Sequence, residues 1–281
     1  MSGSVPSRGM SPKSESYEID SGVAEVIHEH DGSLTLLVNG VPSSSIVPGE
    51  PERLDFEYMR WIADFLDSVK RWDKPRLTHL GGAGCSLPRY FAHAWPGSRN
   101  TVVEIDSELA VLARELFDVP RSPTVKIRVG DAREETDGFK PATRDVIIRD
   151  VFSSATTPRQ LTTVEFFSAA RASLSERGIY VANCGSHADL TEAKEELAGM
   201  AEVWPHIAAI ADPPMLKGRR YGNIVLIGSN EPLEASPELT RDLLKGAVPA
   251  HFKGERWTRA LATSPRHDPR HDPLPDSPGT P

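Results

Sequence analysis

The sequence predicts an α/β fold, built on a largely parallel sheet and preceded by a small β unit. Two observations support this prediction. Short apolar strands alternate with helix-length amphipathic segments from residue 77 to residue 200, and a hairpin-like pattern occupies residues 23–38. Regular alternation of this kind is typical of βαβ units, which place parallel strands side by side.

The amino-terminal β unit, assigned to residues 17–50, is expected to contain two strands. Residues 23–28 and 33–38 flank a His-Asp-Gly turn, and Asn39-Gly40 offers a second turn. The main domain, assigned to residues 51–262, is expected to open with an amphipathic helix over residues 54–69. Apolar residues recur there at helical spacing.

Strands and helices are then expected to alternate along the main domain. The predicted elements are strand 77–80, helix 87–94, strand 101–105, helix 107–117, strand 125–129, strand 145–148, helix 161–174, strand 178–183 and helix 189–200. A strand at residues 223–227 is expected to end the sheet. In such folds the ligand crevice lies at the carboxyl ends of the strands.

The two ends of the chain, residues 1–16 and 263–281, are expected to be disordered tails. Both are rich in Ser, Pro and Gly or charged residues and contain few apolar residues, so they cannot bury enough surface to offset the entropy of ordering. The carboxyl-terminal tail is Pro-rich and contains a short Arg-His-Asp-Pro duplication.

Composition narrows the classes of protein to consider. A formal net charge of -8 argues against a surface built to bind nucleic acid or an anionic membrane. The two cysteines, Cys85 and Cys184, lack metal-ligand spacing, so we expect neither a disulfide framework nor a metal site. The sequence has no apolar run of about 18 residues and no secretory signal, which favours a cytoplasmic protein.

A glycine-rich segment follows the first predicted strand of the main domain. Gly81, Gly82 and Gly84 lie between that strand and a helix. Glycine lets the backbone turn sharply and approach a ligand, and the amino end of the following helix offers free N–H groups. Taken alone, the segment is also compatible with a tight turn that binds nothing.

Glu104 supplies a second signal, because it ends the next strand about twenty residues later. A carboxylate at this position accepts hydrogen bonds from two ribose hydroxyls. Together with the glycine loop, Glu104 predicts a bound nucleoside. Asp106 precedes a helix and is interpreted as its N-cap.

Carboxylates also end the third and fourth strands. Asp131, followed by Ala132, is suited to the exocyclic amino group of a purine, although an exposed loop Asp explains it almost as well. Asp150 ends the fourth strand, where a carboxylate can orient an amine and accept its proton. Asp145 precedes the strand and is interpreted as a surface acid, and His79 as a core histidine.

The order of these motifs resembles the spermidine synthase family, the aminopropyltransferases. The resemblance covers residues 20–229 and rests on residues 36–41, 56–59, the glycine loop, 104–109, 130–132, 145–150 and 222–226. It implies a Rossmann-like fold of the S-adenosylmethionine-dependent methyltransferase type, without a prosthetic group. It also implies transfer of an aminopropyl group from decarboxylated S-adenosylmethionine to an amine, and a homodimer formed through the β units.

The resemblance assigns roles to individual residues. It implies donor binding by the glycine loop and Ala132, ribose binding by Glu104, adenine binding by Asp131 and proton acceptance by Asp150. The family usually has an Asp at the position of Ala83, where it recognises the donor's amine.

Two further differences concern the acceptor. The family has a second acid where this sequence has Ser153, and Ile-Gln where it has Pro42-Ser43. Each lost charge-assisted hydrogen bond removes about 1.5–3 kcal/mol, which predicts an altered acceptor site. Two alternatives stay open: methyl transfer from intact S-adenosylmethionine, which Ala83 favours, and a non-catalytic nucleoside-binding module.

Overall fold

The computed structural model describes residues 13–153 and 156–269. An antiparallel sheet at the amino terminus contains, in chain order, β1 (Lys13–Ile19), β2 (Gly22–His28), β3 (Leu34–Val38) and β4 (Val41–Ile46). The predicted turn at Asn39-Gly40 joins β3 to β4, and both residues have positive φ angles, 52° and 79°. The β unit is confirmed, with a strand added at each end of the predicted pair.

The main domain contains a second sheet and the helices that cover it. Its strands are β5 (Arg76–Leu80), β6 (Arg99–Glu104), β7 (Val125–Val129), β8 (Arg144–Arg149), β9 (Leu174–Ser186), β10 (His206–Ala211), β11 (Gly222–Ser229) and β12 (His251–Lys253). Its helices are α1 (Glu57–Ser68), α2 (Ser86–Ala94), α3 (Ser107–Leu116), α4 (Ala132–Asp137), α5 (Val164–Ser173), α6 (Thr191–Val203), α7 (Pro213–Leu216), α8 (Pro237–Lys245) and α9 (Glu255–Leu261).

The second sheet has the strand order β12-β10-β11-β9-β8-β5-β6-β7. Strands β5 to β9 pair in parallel, as expected, whereas β11 is antiparallel to β9 and β10. The chain winds outward in opposite directions from β5 and β8, so the crevice lies at the carboxyl ends of these two strands.

The sheet does not end at residues 223–227, as the sequence predicted. Strand β10 inserts before β11 in sequence, and β12 pairs with β10 at the edge. β10 is rich in alanine, which has a low strand propensity, and β12 has three residues. The predicted helix 161–174 also starts later, because Thr163 caps α5 by accepting a hydrogen bond from the Phe166 N–H.

Both predicted tails overlap with described structure. β1 starts at Lys13, inside the segment assigned to the first tail. Near the other end, the Val164 N–H donates to the carbonyl of Arg266 (2.9 Å), and Asp268 pairs with Arg133 (2.9 Å). Residues 263–268 therefore lie against α4, α5 and α6. Residues 1–12 and 270–281 lie outside the described residues, so the predicted disorder there stays a prediction.

Two further findings concern predictions from composition. Cys85 and Cys184 are both buried and free. Among the described residues, no helix combines the length and apolar character needed to span a bilayer, and no cluster of three metal-binding side chains is found.

Candidate active site

The glycine loop is constrained by close backbone approaches. Gly81 has a φ of +85°, and a Cβ there would lie 2.2 Å from the carbonyl oxygen of Asp150. At Gly82, a Cβ would lie 2.5 Å from Cγ1 of Val102. A side chain at either position would collide with β6 or with the carboxyl end of β8, so the loop requires glycine.

The amino-terminal sheet supports the same loop. The Gly84 N–H donates to Oγ of the buried Ser44 (3.0 Å), and a Cβ on Gly84 would lie 2.6 Å from Cδ1 of Ile46. The hydroxyl of Ser86 donates to the carbonyl of Ser45 (3.1 Å). Strand β4 thus holds the end of the loop and the start of α2 in place.

Glu104 points to the glycine loop, as the sequence predicted. Its Oε2 accepts hydrogen bonds from the N–H groups of Gly82 and Ala83, both at 3.0 Å, and its Oε1 accepts one from the Asp106 N–H at 3.1 Å. A carboxylate has about four acceptor sites, so capacity for further donors is left on Glu104.

Asp106 is the N-cap of α3, as predicted. Its side chain accepts from the Leu109 N–H (2.8 Å) and from the N–H and hydroxyl of Ser21 (2.7 Å each). One carboxylate therefore starts a helix beside Glu104 and attaches the amino-terminal sheet to it.

Asp131 lies at the carboxyl end of β7 and has a role that the sequence did not predict. It is the N-cap of α4, accepting from the N–H groups of Arg133 (2.7 Å) and Glu134 (3.0 Å). Its other oxygen lies 3.4 Å from Nε2 of Gln160. Ala132 begins α4 with its side chain in the core, so contact with a ligand would have to come from its backbone.

Two exposed apolar side chains flank these acids and were missed by the sequence interpretation. Ile105 follows Glu104 and is 64% exposed, and Val129 ends β7 and is 53% exposed. Large apolar residues exposed at the carboxyl ends of neighbouring strands suit a flat aromatic base. The sequence signal that could have identified them is that Ile105 directly follows Glu104 and Val129 lies two residues before Asp131.

Asp150 is held by two side chains that the sequence interpretation did not select. Its Oδ2 accepts from the hydroxyl of Tyr58 and its Oδ1 from Nδ2 of Asn183, both at 2.9 Å. Burial raises the pKa of Asp150, and the two hydrogen bonds and the Arg149 cation oppose that rise. Burial and the charge of Asp150 hold the pKa of Tyr58 well above its ordinary value, so Tyr58 remains a donor.

Asn183 is 1% exposed, and its Oδ1 is buried without a hydrogen-bond partner among the described residues. An unpaired buried carbonyl oxygen is unfavourable unless a ligand donates to it. The rule that selected Glu104 and Asp150 also applies to Asn183, a polar residue that ends the predicted strand 178–183. Tyr58 had no comparable signal.

The positions that distinguish this chain from the family carry no carboxylate. Ala83 adopts a φ of 41° and presents only a methyl group to the loop. Ser153 is exposed, and its N–H donates to the carbonyl of Thr156 (2.9 Å).

Two titratable side chains near the same strands have structural roles. His79 is a core histidine, as predicted: its Nε2 lies 3.0 Å from Oδ1 of Asn100, and burial lowers its pKa to about 4. Asp145 is not a surface acid. It is 6% exposed and pairs with Arg76 (2.9 Å), because the amino end of β8 lies beside the start of β5.

Comparison with known proteins adds an independent line of support. No family model matches the chain. A crystal structure of a probable spermidine synthase from Corynebacterium glutamicum is 52% identical with a TM-score of 0.88, and the match covers 95% of this chain and 100% of that one. The polyamine aminopropyltransferase of Vibrio vulnificus is 31% identical over 144 residues, which are 50% of this chain but 47% of that relative.

A third similarity concerns the fold alone. Human methyltransferase-like protein 13, in complex with SAH, is 24% identical with a TM-score of 0.55 over 66% of this chain. The predicted methyltransferase-type fold is therefore confirmed. Because the identity to the Corynebacterium glutamicum protein extends over that protein's whole length, the chain belongs to the spermidine synthase family.

Proposed function

We propose that this chain is a transferase that moves an aminopropyl group from decarboxylated S-adenosylmethionine to an amine. The position of Asp150 carries the proposal: its carboxylate is held by Tyr58 and Asn183, while its own carbonyl contacts the bend at Gly81. Glu104 binds the next two residues of that loop. A donor lying along the loop would thus extend from Glu104 toward Asp150.

The nucleoside part of the donor is assigned to the edge formed by β5, β6 and β7. Glu104 would accept hydrogen bonds from the two ribose hydroxyls, in addition to the loop N–H groups that it already binds. The base would lie between Ile105 and Val129, with its exocyclic amino group donating to Asp131. The glycine loop, Gly81 to Gly84, and the backbone of Ala132 would line the same slot.

The reaction is a displacement at carbon. The nitrogen of the neutral amine attacks the aminopropyl carbon bonded to the sulfonium, a C–N bond forms and the C–S bond breaks. The bonding electron pair goes to sulfur, which leaves as methylthioadenosine. Asp150 accepts the proton that the attacking nitrogen loses, and a pKa raised by burial makes its carboxylate a better base.

Asn183 would bind the second N–H of the amine. Its Oδ1 is a buried acceptor without a partner among the described residues, next to the oxygen of Asp150 that its own amide holds. An amine nitrogen placed between these two acceptors is oriented for attack, which is a positioning effect. The acceptor is proposed only as an amine, because Ser153 offers no carboxylate for a second ammonium group.

Methyl transfer from intact S-adenosylmethionine is the second candidate, and Ala83 is the observation that favours it. A methyl group at this loop position does not repel the carboxylate of the intact donor. The two reactions release different products, since aminopropyl transfer gives methylthioadenosine and methyl transfer gives S-adenosylhomocysteine.

The test combines both donors with a panel of monoamines and diamines and quantifies both released thioethers by chromatography. We expect methylthioadenosine from the decarboxylated donor with at least one amine, and no product with Asp150→Asn. Release of S-adenosylhomocysteine alone would replace the proposal by its alternative. No turnover with either donor would remove both.

We also propose a cytoplasmic homodimer formed through the amino-terminal sheets. Val23 and Val41 support this, because these apolar side chains are 47% and 43% exposed on that sheet. Light scattering would give the mass, and Val23→Asp combined with Val41→Asp should give monomers. A wild-type protein that is monomeric at micromolar concentration would contradict the proposal.

A further inference from the structure

A fully buried ion pair lies directly behind the amine end of the crevice. Arg149, the last residue of β8, and Glu196 of α6 are 0% and 1% exposed, and Nη2 of Arg149 lies 2.7 Å from Oε2 of Glu196. Adjacent residues of a strand point to opposite faces of the sheet. Arg149 therefore enters the layer of α5 and α6, while Asp150 turns to the crevice.

Stability alone does not account for this pair. Removing two charges from water is costly, and apolar side chains of similar volume often serve a core equally well or better. The guanidinium is also incompletely satisfied, since its Nε has no hydrogen-bond partner among the described residues. The other contacts of Arg149 indicate what it does.

Those contacts lead to the proposed amine site. Nη2 of Arg149 donates to the carbonyl of Asn183 at 3.1 Å, and its Nη1 lies 3.5 Å from the carbonyl of Leu161. Asn183 is the residue whose amide holds Asp150. Leu161 ends a short 3-10 turn, Arg159–Leu161, that precedes α5.

Among the described residues, Arg149 is the cation that acts on Asp150. Tyr58 faces it from α1 and Asn183 from β9, and both are neutral donors. His79 of β5 lines the same small cavity, and burial keeps it uncharged at neutral pH by lowering its pKa to about 4. Arg149 is the cation that opposes the rise in the pKa of Asp150.

We propose that Arg149, held in place by Glu196, is a positioning residue that fixes Asn183 and, through it, the orientation of the Asp150 carboxylate. The inference rests on the proposed role of Asp150 as proton acceptor. Glu196 neutralises Arg149 within the core, and the guanidinium links β8, β9 and the 3-10 turn. The pair thus couples the core of the domain to the amine half of the site.

The test replaces the pair by apolar side chains, Arg149→Met with Glu196→Leu, which keeps the core filled. The carboxyl of Asp150 is titrated by carbon NMR without substrate, its signal being assigned with Asp150→Asn. We expect its pKa to rise by about one unit. We also expect kcat to fall about tenfold with an unchanged donor KM, because orientation and not donor binding is lost.

The matched control lies at the other end of the same strand. Arg76→Met with Asp145→Asn removes an ion pair that touches neither Asn183 nor Asp150. It should change thermal stability and leave the titration of Asp150 as in wild type. An Asp150 pKa within about 0.2 units of wild type in the apolar variant would overturn the inference. The NMR titration needs no turnover, so this result stands even if the proposed reaction is wrong.

Arg149→Lys covers the case in which the apolar variant does not fold. Lysine retains the charge and can pair with Glu196, but it cannot reach two carbonyls with a planar fork. In this variant we expect the pKa of Asp150 to stay close to that of wild type. We expect kcat to fall by about threefold or more, and added salt should not restore it. An unchanged kcat in this variant would overturn the positioning role.

Discussion

The two halves of the crevice are built differently. In the half that we propose binds the nucleoside, the nucleoside half, formed by the glycine loop, Glu104 and Asp131, carboxylates are held largely by backbone N–H groups. In the half that we propose binds the amine, the amine half, formed by Asp150, Tyr58 and Asn183, a carboxylate is held by side chains that lie 92 and 33 residues away in sequence. The first half depends on local motifs, whereas the second depends on the packing of distant elements.

This difference has a chemical counterpart. Backbone N–H groups donate to both oxygens of Glu104, which suits a group that only accepts hydrogen bonds. Burial raises the pKa of the Asp150 carboxyl, and the hydrogen bonds from Asn183 and Tyr58 limit that rise. A substitution in the nucleoside half should therefore change binding, and one in the amine half should change rate and pH dependence.

The largest effect is expected from Asp150→Asn. A general base contributes about 10²–10⁴-fold to rate, so kcat should fall by roughly that factor while methylthioadenosine still binds. Steady-state kinetics and calorimetry measure the two quantities. Asp145→Asn, on the same strand, is the control and should retain kcat. If Asp150→Asn lowered the affinity for methylthioadenosine as much as it lowered kcat, the two halves would not have separate roles in binding and rate.

Glu104→Gln should have the next largest effect. The amide cannot accept at both of its polar atoms, so charge-assisted hydrogen bonds worth about 1.5–3 kcal/mol are lost. The affinity for methylthioadenosine should fall by about 10- to 100-fold by calorimetry, with a smaller change in kcat. Glu108→Gln, an exposed acid on α3, should bind as wild type. Wild-type affinity in Glu104→Gln would contradict ribose binding.

Tyr58→Phe tests the pH dependence. In the proposed reaction, activity requires the deprotonated Asp150 and should be lost as pH falls through its pKa, which burial raises above the ordinary value. Tyr58 stabilises the carboxylate, so its removal should move the acid limb of kcat/KM upward by about one unit. The control is Tyr90→Phe, which removes a Tyr–Asp hydrogen bond to Asp67 away from the crevice. An acid limb at the same pH as in wild type would contradict the stabilisation of the Asp150 carboxylate by Tyr58.

The smallest effect is expected from Ser44→Ala, which leaves the Gly84 N–H without its partner. An unsatisfied buried donor costs about 1–3 kcal/mol, so the free energy of unfolding in urea should fall by that amount. Ser43→Ala removes a local, solvent-exposed hydrogen bond to the carbonyl of Val41 and should cost less than about 0.5 kcal/mol. Equal losses in both variants would show that the amino-terminal sheet does not support the loop.

The geometry of the proposed nucleoside half could be predicted because its signals are short in sequence. A strand, three glycines and a carboxylate about twenty residues later specify a turn and a rim that local geometry nearly fixes. The N-cap role of Asp106 followed from the helix that begins beside it. The N-cap role of Asp131 did not, because α4 has six residues and too few apolar positions to be predicted.

The contacts of the amine half could not be predicted from sequence patterns. The sequence by itself determined the parallel sheet, the glycine loop and the acids at the strand ends, since periodicity and turn chemistry act over a few residues. Only the tertiary structure decided that Tyr58, Asn183 and the Arg149–Glu196 pair meet around Asp150. Such contacts depend on the register and packing of elements far apart in the chain, which no local pattern specifies.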